Sequence, residues 1–447
     1  MASAAEQLAA SINFGAFSKA TELKNRIWFT LGALVIYRLG TYIPIPGIDA
    51  GILQEIFKQN AGGILGMFDM FSGGALGRMT IFALNIMPYI SASIIIQLLT
   101  AVSPALENLK KEGESGRKKL NQYTRYGTVL LAAVQSYGIA VGLEGMRSGA
   151  HSAVIDPGLF FRLVTVVTLT GGTVFLMWLG EQITARGIGN GISLIIMAGI
   201  VANLPHALAA TLELGRTGAI STVFIIIFLL MAVVVVMVIV FMERAQRRIL
   251  VQYPKRQQGN RMFGGEASHL PLKINTSGVI PPIFASSLLL MPVTIASFEA
   301  SGQSYGWLGT ITSYLAHGTW LYMLLYIGLI VFFCFFYTAI VFNPAETADN
   351  LRKYGGFIPG IRPGKNTADY LDYVLTRITV AGAIYLAAVC ILPEILISQY
   401  AVPFYFGGTS LLIVVSVTMD TVAQIHSHLL AHQYEGLIKK ARLRGRR

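Results

Sequence analysis

Residues 224–242 read FIIIFLLMAVVVVMVIVFM, nineteen residues without a charge. A run that long and that apolar fits one environment, the hydrocarbon core of a bilayer, which takes about 20 apolar residues of helix to cross. The stretch that follows, ERAQRRILVQYPKRQQGNR, is strongly basic. Loops rich in Lys and Arg stay on the cytoplasmic side, so the flank orients the span. The same pairing of apolar run and basic loop recurs along the chain.

Composition agrees. Of the 447 residues, 54% are hydrophobic and 13% are charged, against about 25% charged in a soluble domain. The formal net charge of +12 invites a nucleic-acid reading, but the charges lie between apolar segments, where topology explains them. The two cysteines, Cys334 and Cys390, both sit inside apolar stretches. They read as small buried hydrophobes, not as a disulfide framework. Residues 1–25 have no basic start, short apolar core and cleavage site. They read as a retained cytoplasmic segment, 1–26, with an amphipathic helix on the membrane surface as one form it can take.

Ten spans are expected, near 27–45, 79–99, 124–144, 161–180, 191–210, 220–242, 279–298, 318–342, 374–396 and 404–424. With the N-terminus inside, 28 of the 34 Lys and Arg residues fall on the cytoplasmic side. The opposite loops hold Lys58, Arg78, Arg147, Arg162 and Arg216, and Arg38 lies inside the first span. This bias places both termini in the cytoplasm. The expected fold is an all-α integral membrane protein. Ten spans split into halves at 27–210 and 220–424, and five spans per half would relate the halves by inverted topology, as in many transport proteins. Residues 425–447 form a cytoplasmic tail.

Three loops carry more than connection. In 243–276, RRILVQYP alternates partly and ends at Pro254, which predicts a hairpin with its tip near 255–261. In 344–373, Asn343 is placed to cap a helix that has Pro344 in its first turn. Gly355–Gly356 ends that helix, and the two Pro-Gly pairs of FIPGIRPGKN hold Arg362 on a turn. The third is 62–77, GGILGMFDMFSGGALG, with six glycines in sixteen residues. It is apolar but too short to span, and glycine makes it a marginal helix. It either folds back into the membrane inside a protein-lined space or lies on the surface without a role.

Enzyme signatures are missing. No His-Glu-x-x-His or Gly-x-Ser-x-Gly motif is present. GIRPGKNT at 360–367 has too few residues between its glycines for a phosphate loop and Asn366 where Ser or Thr should bind magnesium. His426, His428 and His432 do not share a helical face. No cofactor, metal or catalytic residue is expected. Arg38 and Asp420, with Glu181 and Glu394 near span ends, are the few intramembrane charges. An ion-coupled transporter of a small solute shares the helix count and charge bias, but it needs an ion site near the midplane, and no carboxylate cluster offers one.

Long stretches of the chain resemble the SecY family, the central subunit of the bacterial protein-translocation channel. They include IPIPGID at 43–49, MFSGGALGR at 70–78, IMPYISASIIIQLL at 86–99, KKEGESGR at 110–117 and QYTRYGT at 122–128. FLMWLGEQIT at 175–184 with RGIGNGIS at 186–193, FFCFFYTAIVFNPAETADNL at 332–351, PGIRPG at 359–364 and VPFYFGGTSLLIVV at 402–415 continue the match. The resemblance runs essentially from Leu23 to Lys440.

The resemblance implies two five-helix halves around a central pore in the bacterial inner membrane, opening sideways to release membrane segments into lipid. It makes 62–77 a plug, carried by Ile64, Leu65, Gly66, Met67, Phe68, Asp69, Met70, Phe71, Ser72, Gly73 and Gly74. It selects six residues as an apolar pore ring: Ile86, Ile90, Ile192, Ile196, Ile283 and Ile413. It makes the fingers at 243–276 and 344–373 docking sites, through Lys255, Arg256, Arg261, Arg362 and Tyr370. Asn260 stands where relatives often carry a second arginine. The partners it implies are SecE and SecG, the SecA ATPase, the ribosome with its rRNA, unfolded preproteins with their signal peptides, and membrane lipids.

Overall fold

The computed structural model describes residues 21–49, 51–53, 69, 72–145, 147–148, 151–217, 221–253, 256–258, 261–263, 267–299, 319–400 and 408–444. The amphipathic segment expected near the N-terminus lies mostly outside them. Each of the ten expected spans falls on one helix. These are α1 (Thr21–Gly40), α2 (Met87–Val102), α4 (Glu114–Gly145), α5 (Leu159–Arg186), α6 (Gly191–Arg216), α7 (Thr222–Arg244), α8 (Ile280–Glu299), α9 (Trp320–Val341), α11 (Lys365–Tyr400) and α12 (Gly408–Arg444). Two short helices, α3 (Pro104–Lys111) and α10 (Pro344–Lys353), lie in basic loops. Among the described residues seven helices are long and apolar enough to cross a membrane, or eight if α2 and α3, bent by 99° at Ser103, count as one. The apolar stretch of α7 is only 11% buried, whereas that of α11 is 56% buried. The run that is most apolar in sequence is therefore little buried by the rest of the chain, which hydrocarbon permits because it solvates apolar side chains as well as a core would.

Hydropathy located the spans but misplaced some ends. The second span was expected from residue 79, yet its helix begins at Met87, with Pro88 in the first turn. Residues 79–86 instead form turns, with Met79 and Asn85 at positive φ. Their backbone is held by the IPIP segment. Ile45 N donates to the Met79 carbonyl at 3.0 Å, and Ile81 N donates to the Ile43 carbonyl at 3.0 Å. Prolines 44 and 46 keep that segment extended, so it pairs like a strand where a helix would be broken. Further on it pairs a second time: Asp49 N donates to Ala153 O, and Ile155 N donates to Gly47 O. Gly172 on α5 permits the fit, since a Cβ there would overlap the Ile81 carbonyl oxygen. The first span, expected to reach residue 45, likewise ends at Gly40, just before this extended segment.

The chain divides into two compact units, one of Met1–His206, Thr294–Gly306 and Val417–Arg447, the other of Ala207–Val293 and Trp307–Ser416. The first has a core of Ile45, Leu76, Met79, Leu84, Ile139, Leu143, Val154, Phe161 and Leu169. The second has one of Ile249, Val251, Leu272, Ile358, Leu371, Val374 and Ile378. Both cysteines are buried.

The expected hairpin is present. β3 (Gln246–Gln252) pairs antiparallel with β6 (Ala267–Lys273), and β4 (Arg256–Gln258) pairs with β5 (Arg261–Phe263) nearer the tip. A two-residue pair, β1 (Arg147–Ser148) with β2 (His151–Ser152), closes the loop after α4. Helix α10 starts as its sequence demands. Asn343 Oδ1 accepts from Ala345 N at 3.1 Å and from Glu346 N at 3.4 Å. It ends at Gly355, whose φ of 73° is open to glycine, with Gly356 N donating to Leu351 O at 2.8 Å. Asn343→Ala removes the cap and is expected to cost about 1 kcal/mol of local stability. Hydrogen exchange at Ala345 and Glu346 should quicken roughly fivefold, and Asn343→Asp should restore protection.

Candidate functional site

The glycine-rich segment is described at Asp69 and from Ser72 onward; Ile64, Leu65, Gly66, Met67, Phe68, Met70 and Phe71 lie outside the described residues. What is described is the bend at its C-terminal end. Gly73 and Gly74 both have positive φ, 68° and 81°, so the chain reverses there at low cost. Two arginines grip the bend. Arg38, in the last turn of α1, donates through Nη1 to the Gly73 carbonyl at 2.8 Å. Arg78 donates through Nη2 to the same carbonyl at 3.2 Å and through Nε to the Gly74 carbonyl at 2.9 Å. Both guanidinium groups also lie against the ring of Tyr42, at 4.1 Å for Arg78 and 5.1 Å for Arg38. A Cβ on Gly73 would stand 3.0 Å from Gly199 Cα on α6.

Asp69 closes the bend from the other side. Its Oδ1 accepts from Gly77 N at 2.5 Å, and its carbonyl accepts from Gly74 N at 2.8 Å. Ser72 Oγ donates to the Asp69 carbonyl and accepts from Leu76 N. Burial pushes the Asp69 carboxyl above its usual range, and the Gly77 N–H opposes that shift. Sequence reading noted Arg38 as a rare intramembrane charge but missed its role. The signal available was the coincidence of one arginine in a span with another directly after a Gly-Gly pair.

The six isoleucines share a feature: each lies at the start of a helix or within its first two turns. Ile86 caps α2, and its carbonyl accepts from Ile90 N at 3.1 Å; both side chains are buried. Ile192 and Ile196 open α6. That helix starts sharply because Asn190 Oδ1 accepts from Ile192 N at 3.2 Å and Thr184 Oγ1 accepts from Gly191 N at 2.8 Å. Ile196 is buried and Ile192 half-buried. These four belong to the first unit, with each pair on one helix face. Ile283, half-buried on α8, and Ile413, buried on α12, belong to the second.

The two basic fingers are one platform. Gln252 and Phe357 exchange backbone hydrogen bonds in both directions, each 2.9 Å. Nothing in either segment's sequence announces that pairing, because it joins loops far apart in the chain. Arg256 stands opposite Phe263, and Arg261 opposite Gln258, in the tip strands; Lys255 lies outside the described residues. Arg362 is exposed on the turn between Gly360 and Gly364, both at positive φ, and its carbonyl accepts from Thr367 Oγ1 at 3.0 Å. Tyr370 is half-buried and packs against the Ile249–Leu371 cluster, so it supports the platform as well as bordering its surface.

Glu181 is paired, its carboxylate accepting from Arg125 at 3.0 and 2.7 Å. Asp420 is exposed on α12, and the Glu394 side chain is not among those described. Among the described residues no group of three or more His, Cys, Asp or Glu is placed to hold a metal.

Residues 80–422 match the SecY family model. The chain is 58% identical over 424 residues to the "Protein translocase subunit SecY" of Escherichia coli strain K12, covering 95% of this chain and 96% of that protein. It is 57% identical over 430 residues to the same subunit of Rickettsia conorii, covering 96% and 99%. Its fold is similar to that of a solved structure described as "The structure of a protein conducting channel", with a TM-score of 0.65 at 18% identity over 90% of this chain and 92% of the other. It is similar also to "Sec61 in the Canine ribosome-channel complex from the endoplasmic reticulum", with a TM-score of 0.62 at 17% identity over 90% and 92%. With the family model covering most of the chain and relatives this close along almost its whole length, the chain belongs to the SecY family.

Proposed function

We propose that this chain is the conducting subunit of a protein translocase, a passive pore through which unfolded chains cross the membrane and from which apolar segments leave sideways into lipid. The observation that carries this reading is near-complete correspondence to translocase subunits at 58% identity. The protein is a channel and not an enzyme. The ion-coupled transporter has no support from the family.

The residues supply a mechanism for this reading. A ring formed by Ile86, Ile90, Ile192, Ile196, Ile283 and Ile413 offers water no hydrogen bonds, so it dewets when narrow and resists ion flow. Aliphatic side chains also yield to any passing sequence, since dispersion contacts have no direction. The glycine-rich plug, Ile64 to Gly74, seals the pore at rest and swings on the Gly73–Gly74 hinge when a chain enters. The halves 27–210 and 220–424 part to open the side. Both termini and both fingers face the cytoplasm of a bacterial inner membrane. There Arg362, Tyr370, Lys255, Arg256 and Arg261 receive SecA or the ribosome, whose rRNA phosphates suit basic tips. SecE and SecG complete the complex.

The test is reconstitution with SecE and SecG in liposomes, adding SecA, ATP and a radiolabelled precursor, then protease. ATP-dependent protection of full-length precursor is expected; none, with SecA bound and active, overturns the reading. Arg362→Glu should lower protected precursor at least tenfold while assembly with SecE is unchanged. Gly73→Val should prevent the bend from seating, through both its positive φ and its approach to Gly199. Resting ion conductance of the reconstituted channel should rise at least tenfold in that variant, and an unchanged conductance would remove the hinge from the gating model.

A further inference from the structure

A cavity of about 270 Å³ opens where the first finger leaves the membrane, between the base of β3 and helix α11. Arg247, Tyr373 and Arg377 line it together with Ile274, Ile378 and Ala381. The fold fixes this geometry. Ile274 N donates to the Ala245 carbonyl at 3.0 Å, which ties the end of β6 to the end of α7. A Cβ on Gly382 would lie 2.9 Å from the Ile274 carbonyl, so α11 packs closely on the same point. Arg377 lies over the Tyr373 ring at 4.2 Å, which holds its guanidinium in place. Both arginines are exposed, and among the described residues neither makes an ion pair.

Their depth is given by the sequence. Arg377 is the last charge before an uncharged run from 378 to 393, and Arg247 follows the apolar helix α7 by three residues. Both therefore stand at the level where spans leave hydrocarbon for water, on the basic side of the membrane. Two arginines and three apolar side chains lining one cavity at that level match a lipid, whose phosphate suits the guanidinium groups and whose chain suits the apolar residues. Resting on the membrane-spanning reading of the chain, we propose that this cavity is a binding site for an anionic phospholipid, held by Arg247 and Arg377 with an acyl chain along Ile274, Ile378 and Ala381.

The experiment uses the full chain purified with its partner subunits in detergent. It is titrated with phosphatidylglycerol, phosphatidylethanolamine and inorganic phosphate, and bound lipid is counted by native mass spectrometry. Wild type is expected to keep a phosphatidylglycerol that phosphatidylethanolamine does not replace and that millimolar phosphate does not displace. In Arg247→Gln/Arg377→Gln the midpoint for that lipid should rise roughly thirtyfold, and Arg247→Lys/Arg377→Lys should recover most of it. Ala381→Trp, which fills part of the cavity without changing charge, should also lose it. Retention of the lipid by both the Gln pair and Ala381→Trp overturns the proposal. Displacement by phosphate alone would make this a soluble-anion site and also overturn it. So would a photocrosslinker at position 381 that captures a protein segment in place of lipid.

Discussion

A peptide carbonyl in hydrocarbon has no water to bond, and leaving it unpaired costs several kcal/mol. Helices meet this demand within themselves, so most of the chain is helix. The informative places are those where the backbone leaves the helix and something else has to pair it. Residues 79–81 borrow partners from the extended Ile43–Ile45 segment. The Gly73 and Gly74 carbonyls borrow Arg38 and Arg78. The bend at Gly73 and Gly74 can therefore leave the helical framework without stranding those two carbonyls.

On the basic side the same economy takes another form. Two loops that would be mobile alone are joined by the Gln252–Phe357 pair and by a shared core of Ile249, Val251, Ile358 and Leu371. Charges stay outside that core, which leaves Arg362 on a turn fixed from below. Tyr370 belongs partly to the core. A substitution there would disturb the platform's packing as well as any contact made by its surface, whereas Arg362 can be changed with little effect on folding. The distinction comes from burial, not from residue type.

The sequence by itself determined much of this. Span number and position followed from apolar length, because lipid thickness is a fixed ruler. The α10 cap and stop followed from Asn343, Pro344 and Gly355, because capping is local chemistry. The hairpin followed from alternation in RRILVQYP. What sequence misread was the start of α2, where an apolar run continues through residues that are not helical; hydropathy measures the solvent, not the hydrogen-bond pattern. Only the tertiary structure decided that Arg38 and Arg78 meet on one carbonyl, that the two fingers pair through Gln252 and Phe357, and that Arg247 and Arg377 share a cavity. Each of these joins residues distant along the chain, and their meeting is set by helix packing and close glycine contacts that no local pattern encodes.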